Sequence, residues 1–487
     1  MNSLNLNHFI DGADTVCGSS RIEVVNPARP AEIVGTICRG TPEDVDNAVR
    51  SAALAQLAWK ERPLEERCAV VKAAGEELLA SADTGAPTLT REMGKVLAES
   101  TMDFAAPGFG WTALVDDVAG VRHALVDAIE DDFGRIDLRR RPMGVVGAIV
   151  PWNWPLALLG VKLGPALIAG NTVVVVPSPH ASLSVLHAVE ALSRVLPAGV
   201  VNVVTGVGSE VGAALVAHPN IAMVAFTGGV EVGRAVAASA GQHLKPAVLE
   251  LGGNDAAVLL DDVEVTDALI RAIASGAMMT SGQVCFAIKR LLVHESLYDD
   301  VVSQLGDALA STVVGDGMDP DVTMGPLANA TQHARFNRLV EDARRDGAKV
   351  RDLGRLTPGF AEAEGYFHLP KLVTEVTPEA TIVVAEQFGP ALPILPFTTD
   401  DEAISLVNGT AFGLTSSLWS ADVGRAHSLA SRIDAGVTFV NQHGMAAFDP
   451  RAPFGGTKHS GFGREMGIEG LLEFTWTQAI NNRHLVS

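Results

Sequence analysis

The sequence predicts an α/β protein: a doubly wound parallel sheet, then a second α/β unit, then a small strand element. Three observations carry this. The chain has 487 residues, too many for one hydrophobic core, so two or three domains are expected. Residues 145–150 and 172–176 are unbroken apolar runs of strand length bounded by Pro, Gly and Asn, the signature of strands buried on both faces. Runs of this kind alternate with helical stretches twice, before Glu250 and again after Leu251, as parallel sheets with crossover helices require. The domain boundary is therefore expected near Glu250.

Short strands and turns should occupy residues 9–27. Thr41-Pro-Glu-Asp44 opens a helix, with Thr41 as N-cap, Pro42 at the first helical position and two acids in the first turn; Val45, Ala48, Val49 and Ala52 give its apolar face. A second helix runs from Leu64 through Leu78, and a third carries Glu92-Met-Gly-Lys95. Residues 133–142, with three successive arginines, read as a solvated edge strand. Strands at 145–150, 172–176 and 222–225 alternate with helices at 184–196, 209–217 and 232–240. After Leu251, strands are expected at 256–260, 290–294, 382–384, 392–397 and 438–441, with helices at 268–277, 298–311, 331–346, 400–408 and 423–433. The alternating segment 474–480 should be a strand that adds to a sheet elsewhere, in this chain or in a partner subunit.

Apolar residues make up 47% of the chain and charged residues 19%, which suits a soluble globular protein. A formal charge of −21 excludes nucleic acid and anionic membrane surfaces as partners. The apolar stretch 144–176 is broken by Pro151, Pro155 and Pro165, so it reads as strands and a helix and not as a membrane span. Met1-Asn-Ser-Leu-Asn-Leu-Asn-His8 has no basic region ahead of an apolar core, and no signal peptide is expected. Four cysteines (Cys17, Cys38, Cys68, Cys285) make no disulfide framework and show no zinc-ligand spacing. Reduced thiols in the cytoplasm, and no metal site, are expected.

Cys285 stands in Thr280-Ser-Gly-Gln-Val-Cys285-Phe286, a small-residue turn between a helix and a strand. A free cysteine is usually a small buried hydrophobe; its company changes that reading. Pro151-Trp-Asn-Trp-Pro155, Glu250-Leu-Gly-Gly-Asn254, Glu386-Gln-Phe-Gly-Pro390 and Pro453-Phe-Gly-Gly456 occur in that order along the chain. With the cysteine turn they resemble the aldehyde dehydrogenase superfamily from end to end. The resemblance implies a Rossmann-type coenzyme-binding domain (1–121 and 143–250), a catalytic domain (251–456), and bridging or oligomerisation segments (122–142 and 457–487) of a homodimer or homotetramer.

It also implies NAD(P)-dependent oxidation of an aldehyde to the free acid. Hydride leaves a tetrahedral alkoxide more readily than a planar carbonyl, so a nucleophile must add first. Cys285 matches that nucleophile, as a thiolate. The Asn153 amide, with the Cys285 N–H, would hold the oxyanion. Glu250, at the end of an apolar strand, should have a raised pKa suited to a general base for thioester hydrolysis. Lys162 and Glu465 match supporting positions; a lone lysine in an apolar run needs a partner, which the Glu465 region can supply.

For the cofactor, Phe226-Thr-Gly-Gly-Val-Glu-Val-Gly233 follows a strand and opens a helix, as a pyrophosphate loop does; Phe226, Thr227, Gly228, Gly229 and Val232 are its expected contacts. Gly208 and Gly212 belong to a neighbouring loop near the adenosine end. Ile149, Val150, Pro151, Trp152, Leu251, Gly252 and Cys285 should line the nicotinamide side, where Glu386 matches a ribose contact and Phe388 a packing residue. The chain departs from the family at Val176 and Pro179, flanking Ser178, where Lys and Glu are usual, and at Gly229, where Ser is usual. NAD is expected over NADP, with weakened contacts to the adenosine ribose. Trp154, Leu158, Val161, Val284, Phe286 and residues 442–452 should line the aldehyde channel. Most are apolar or aromatic, which suits a medium-sized aliphatic or aromatic aldehyde, while Asp449 and Arg451 would suit a polar or charged one, so both classes stay open. A cysteine hydrolase would need a histidine base, and no histidine sits in such a motif. A binding protein on a degenerate dehydrogenase scaffold is the other reading, favoured by Val176, Pro179 and Gly229 and opposed by intact Cys285, Asn153 and Glu250.

Overall fold

The computed structural model describes residues 4–360 and 364–483; the first residues of the Met1–His8 stretch and the last four of the chain lie outside these. An eight-stranded sheet runs in the order Gly461–Phe462, Ala247–Glu250, Met223–Thr227, Val145–Val150, Thr172–Pro177, Val201–Val203, His8–Ile10, Ala13–Thr15. Its five central strands are parallel, and each of the outer three pairs antiparallel with its inner neighbour. The chain starts this parallel set at Val145–Val150, winds outward on one side, then returns to lay Met223–Thr227 on the other. That reversal opens a crevice at the carboxyl ends of these two strands, where α/β sheets bind ligands.

A second, seven-stranded sheet has the order Lys349–Asp352, Lys371–Thr374, Ala391–Phe397, Ile288–His294, Asp255–Leu259, Thr415–Trp419, Val437–Val440, all parallel except the first. The chain passes between the sheets at Leu251–Asn254, joining the carboxyl end of Ala247–Glu250 to the amino end of Asp255–Leu259. The amino edge of the second sheet thus meets the crevice of the first. Separate apolar clusters back each sheet, one around Leu89, Phe104 and Val173, another around Leu259, Leu291 and Leu392.

The first helix, Pro42–Trp59, starts with the expected cap: Thr41 accepts from Asp44 N while the Asp44 carboxylate accepts from Thr41 N. Four expectations are corrected. Residues 64–93 form one helix, Leu64–Met93, and Glu92 is near its end; Gly94 stops it in the left-handed region at φ 98°, a conformation glycine adopts without steric cost. Residues 382–384 are not a strand but part of a helical turn, Thr381–Val384. Three apolar residues carry no period, and side chains collect the carbonyls of the turn: Asn254 donates to Val383 and Ala385, and Gln387 donates to Ile382. Thr475–Arg483 pairs antiparallel with Gly134–Pro142 of its own chain, so the arginine strand is the centre of a three-stranded sheet and not its edge. Finally, Cys17 and Cys38 are joined in a disulfide, with Cα atoms 5.8 Å apart; only Cys68 and Cys285 are free thiols. Their separation of 21 residues hid the pairing, which depends on the Arg21–Asn26 strand folding back along Arg29–Cys38.

Among the described residues no helix is long and apolar enough to cross a membrane.

Candidate active site

A cavity of about 230 Å³ lies where the two sheets meet, lined among others by Trp152, Asn153, Gly228, Cys285, Glu386 and Phe388. The first sheet contributes through its carboxyl-end loops: Pro151, Trp152 and Asn153 follow Val145–Val150, while Thr227, Gly228 and Gly229 follow Met223 and open the helix Val230–Gln242. The second contributes from its amino edge, with Gly252 before Asp255, Cys285 before Ile288, and Glu386 and Phe388 before Ala391. The four separated motifs converge because loops at facing sheet ends meet.

Cys285 is half-buried, its free thiol on the cavity wall. Enough protein surrounds the sulfur that burial pushes its pKa up to about 12; Glu250, Asp255 and Glu386 add to the rise and Lys289 opposes it. At neutral pH it rests as a thiol, and a base must take its proton before it attacks. The preceding turn is strained: Thr280 and Ser281 sit at φ 51° and 57°, unusual for residues with a Cβ and more so for β-branched Thr. Buried partners hold it there. Glu99 accepts the Thr280 N–H at 2.8 Å, Trp154 donates to the Thr280 hydroxyl at 3.1 Å, and Ser281 donates to Gly325 O at 2.7 Å.

Asn153 is buried and donates one amide hydrogen to Gln283 O at 2.9 Å. A primary amide has two, so this bond fixes the side chain and leaves the second hydrogen for the cavity. Glu250 ends its strand at 3% exposure. Its side chain is not part of the cavity wall and lies against Gly455. Neither carboxylate oxygen makes a hydrogen bond of good geometry. Burial, with the Glu465 carboxylate nearby, holds the Glu250 carboxyl well above its ordinary range, and the Lys162 ammonium acts against that rise. Lys162, on the helix Pro155–Ala169, donates to Glu465 Oε1 at 2.5 Å and to Thr227 Oγ1 at 2.6 Å.

Glu386 lines the cavity and accepts the Gly253 N–H at 3.1 Å; a Cβ on Gly252 would meet its carboxylate at 2.5 Å, so only glycine lets the two approach. Phe388 packs edge-on against Trp152, with ring centroids 5.5 Å apart. Its φ of 50° is sustained by two residues that motif reading missed. Gln332 donates to Phe388 O at 2.6 Å and Arg335 to Glu386 O at 2.7 Å, and both line the cavity. Their sequence trace is only the i, i+3 spacing on the helix Ala330–Arg345, which does not tell what that face touches.

Leu158 and Leu251 also line this cavity; the other candidates lie outside it. Val176 (1% exposed) and Phe226 (3%) turn their side chains into the core. Ile149 and Val150 lie in the strand beneath, Gly208 and Gly212 bound a π-helical turn, Ser178 caps the Pro179–Ala181 turn, and Val232 is exposed on its helix. Of the channel residues, Trp154 and Val284 form a small cluster with Leu158 and Phe286 packed against it. Phe286 also contacts Phe448 and Phe454 edge-on. Asp449 and Arg451 bond to each other at the rim of an open hollow with Phe109 and Phe448. Among the described residues no group of three or more His, Cys, Asp or Glu side chains is arranged to hold a metal.

Residues 15–480 match the family model described as the aldehyde dehydrogenase family. A phenylacetaldehyde dehydrogenase from Pseudomonas fluorescens is 36% identical over 94% of this chain and 92% of its own length. An aldehyde dehydrogenase from Bartonella henselae superposes with a TM-score of 0.92 at 32% identity, covering 98% of this chain and 99% of that one. Aldehyde dehydrogenase C from Pseudomonas syringae, solved with NAD+ and octanal, gives 0.91 at 32% identity, covering 98% and 96%.

Proposed function

The chain belongs to the aldehyde dehydrogenase family, and on that premise we propose that it oxidises an apolar aldehyde to the free carboxylic acid through a thioester on Cys285, with NAD as the preferred acceptor. The observation that carries the reading is that Cys285 and Asn153 share one cavity wall with Gly228, Gly229, Glu386 and Phe388.

The Cys285 sulfur adds to the carbonyl carbon, and its proton goes to a base. The new oxyanion lies toward the second Asn153 amide hydrogen and the Cys285 N–H. A bound dinucleotide supplies the hydride acceptor that turns the thiohemiacetal into a thioester. To act, Glu250 must turn its side chain from Gly455 toward the cavity. It then takes a proton from water as the water oxygen attacks the acyl carbon; the C–S bond breaks, and acid and thiol are released. The raised pKa of Glu250 makes it a strong base once ionised, and the nearby Lys162 ammonium favours that form.

The chain's own residues fit the dinucleotide. A Cβ at Gly229 would meet nothing within 4 Å, leaving open space at the start of the helix Val230–Gln242. NAD over NADP is supported only modestly by Val176 and Pro179, and the Pseudomonas syringae relative was solved with NAD+. A medium-sized aliphatic or aromatic substrate is supported by Trp154, Leu158, Val284 and Phe286, and by the octanal and phenylacetaldehyde of the relatives' descriptions. The exposed Val126, Ile129, Phe133, Trp476 and Ile480 of the three-stranded sheet support a homodimer or homotetramer.

The test is absorbance at 340 nm with a panel of aldehydes, each with NAD and with NADP, beside Cys285→Ala. Reduced dinucleotide that forms with apolar aldehydes and is lost in the variant is expected. No turnover in protein whose Cys285 still alkylates would overturn the reading.

A further inference from the structure

Lys289 has no part in the chemistry above, yet it is the cation built into the cysteine turn. It lies at the head of the strand Ile288–His294 and is 2% exposed. Its ammonium donates to Val284 O at 2.7 Å, to Cys285 O at 2.5 Å and, more weakly, to Ala287 O at 3.5 Å. An ammonium has three hydrogens, and these go to main-chain carbonyls of one loop. Burying a charge is costly unless its donors are satisfied, so the loop must hold those carbonyls in place for the lysine to remain there. The lysine main chain is tied as well, since Gln387 donates to Lys289 O at 3.1 Å.

A trans peptide is planar, with its N–H opposite its C=O. The carbonyl of Val284 and the N–H of Cys285 belong to one such plane. With Val284 O held by the ammonium, the Cys285 N–H must point away from Lys289. Among the described residues that N–H finds no protein acceptor. The adjacent carbonyl, Gln283 O, holds the Asn153 amide. Three successive carbonyls are therefore engaged by side chains, while the Cys285 N–H and the second Asn153 amide hydrogen keep no protein acceptor among the described residues. A cation on a carbonyl oxygen also polarises its peptide, which strengthens the N–H as a donor.

We propose that Lys289 is a positioning residue for the oxyanion hole, locking the 284–285 peptide so that the Cys285 N–H faces the reacting oxygen. The proposal deepens the dehydrogenase reading and rests on it. Without the ammonium, Val284 O keeps only the Ala287 N–H at 3.2 Å, and this peptide is freer to rotate and offer its carbonyl where the N–H is needed.

The test compares two reactions of Cys285 that need no dinucleotide, in the wild type and in Lys289→Met, which keeps an apolar side chain of similar length. Hydrolysis of an activated aryl ester passes through a tetrahedral oxyanion; alkylation by iodoacetamide does not. Both scale with the thiolate fraction, so their ratio isolates the oxyanion step from any change in the thiol's acidity. Loss of one donor should lower the ratio of ester hydrolysis to alkylation by about tenfold or more. A smaller fall in a folded variant overturns the proposal, as does a wild type that alkylates but hydrolyses no ester. Should Lys289→Met fail to fold, the same ratio is read on Lys289→Gln. The expected fall of the ratio in the variant, beside a wild type that oxidises no aldehyde, would instead overturn the dehydrogenase reading.

Discussion

The two ends of the proposed nucleotide cleft are built on different principles. At the cysteine end, charged and polar groups are buried and fixed by one another: Lys162 on Glu465 and Thr227, Lys289 on the carbonyls around Cys285, Glu99 on Thr280. At the adenosine end Val176 is sealed in the core, Pro179 begins a short turn, and a Cβ on Gly208 or Gly229 would meet nothing within 4 Å. The first end is organised for electrostatics in a low-dielectric setting, where an aligned dipole is worth most. The second offers main chain and shape. On the proposed assignments, the contrast teaches that reactivity and cofactor affinity can be tuned apart in this molecule, because different residues would carry them.

Perturbing the cysteine end should cost most. Glu250→Gln is expected to lower kcat for acid release by about a thousandfold, the upper range for general-base catalysis. In the wild type, Glu250 acts only when ionised, and its pKa is raised, so kcat should climb as pH rises toward that pKa. The variant should lose this limb; a pH–rate profile unchanged in shape would break the assignment. Asn153→Ala should lower kcat by about a hundredfold, as loss of one oxyanion donor does, with little change in the NAD Kd. A large change in that Kd would show that the two ends are not separable.

The smallest effect should come from the adenosine end. Pro179→Glu restores the acid usual in the family and should tighten NAD about fivefold, on the order of 1 kcal/mol for one hydrogen bond, while weakening NADP. Fluorescence titration of both dinucleotides checks this. Unchanged affinities would mean that the ribose takes its contacts elsewhere.

Legibility in the sequence followed the same divide between local and long-range information. The Thr41 cap and the strands Val145–Val150 and Thr172–Pro177 were readable because cap chemistry and unbroken apolar runs are local signals. Cys285 and Asn153 were readable through motif resemblance, and the cavity brings them together. The direction of the Glu250 side chain was not readable, since it depends on the Gly455 region folding back from two hundred residues away. Gln332 and Arg335 were missed because a helix face does not announce its neighbour. The pairing of Thr475–Arg483 within its own chain stayed open because an alternating strand carries no label for its partner.

The Cys17–Cys38 bond has a practical consequence at the bench. Cys38 lies at the end of its strand, and its carbonyl accepts from the Thr205 hydroxyl, while Gly40 N donates to Thr205 O. The crosslink therefore anchors the segment that leads into the Gly206–Gly208 loop. A thiol reagent added to keep Cys285 reduced reaches for the same kind of sulfur at Cys17, which is only half-buried. Storage buffer thus becomes an experimental variable: two tubes of one preparation, with and without reductant, can hold covalently different molecules, and an affinity measured in one is not a property of the other.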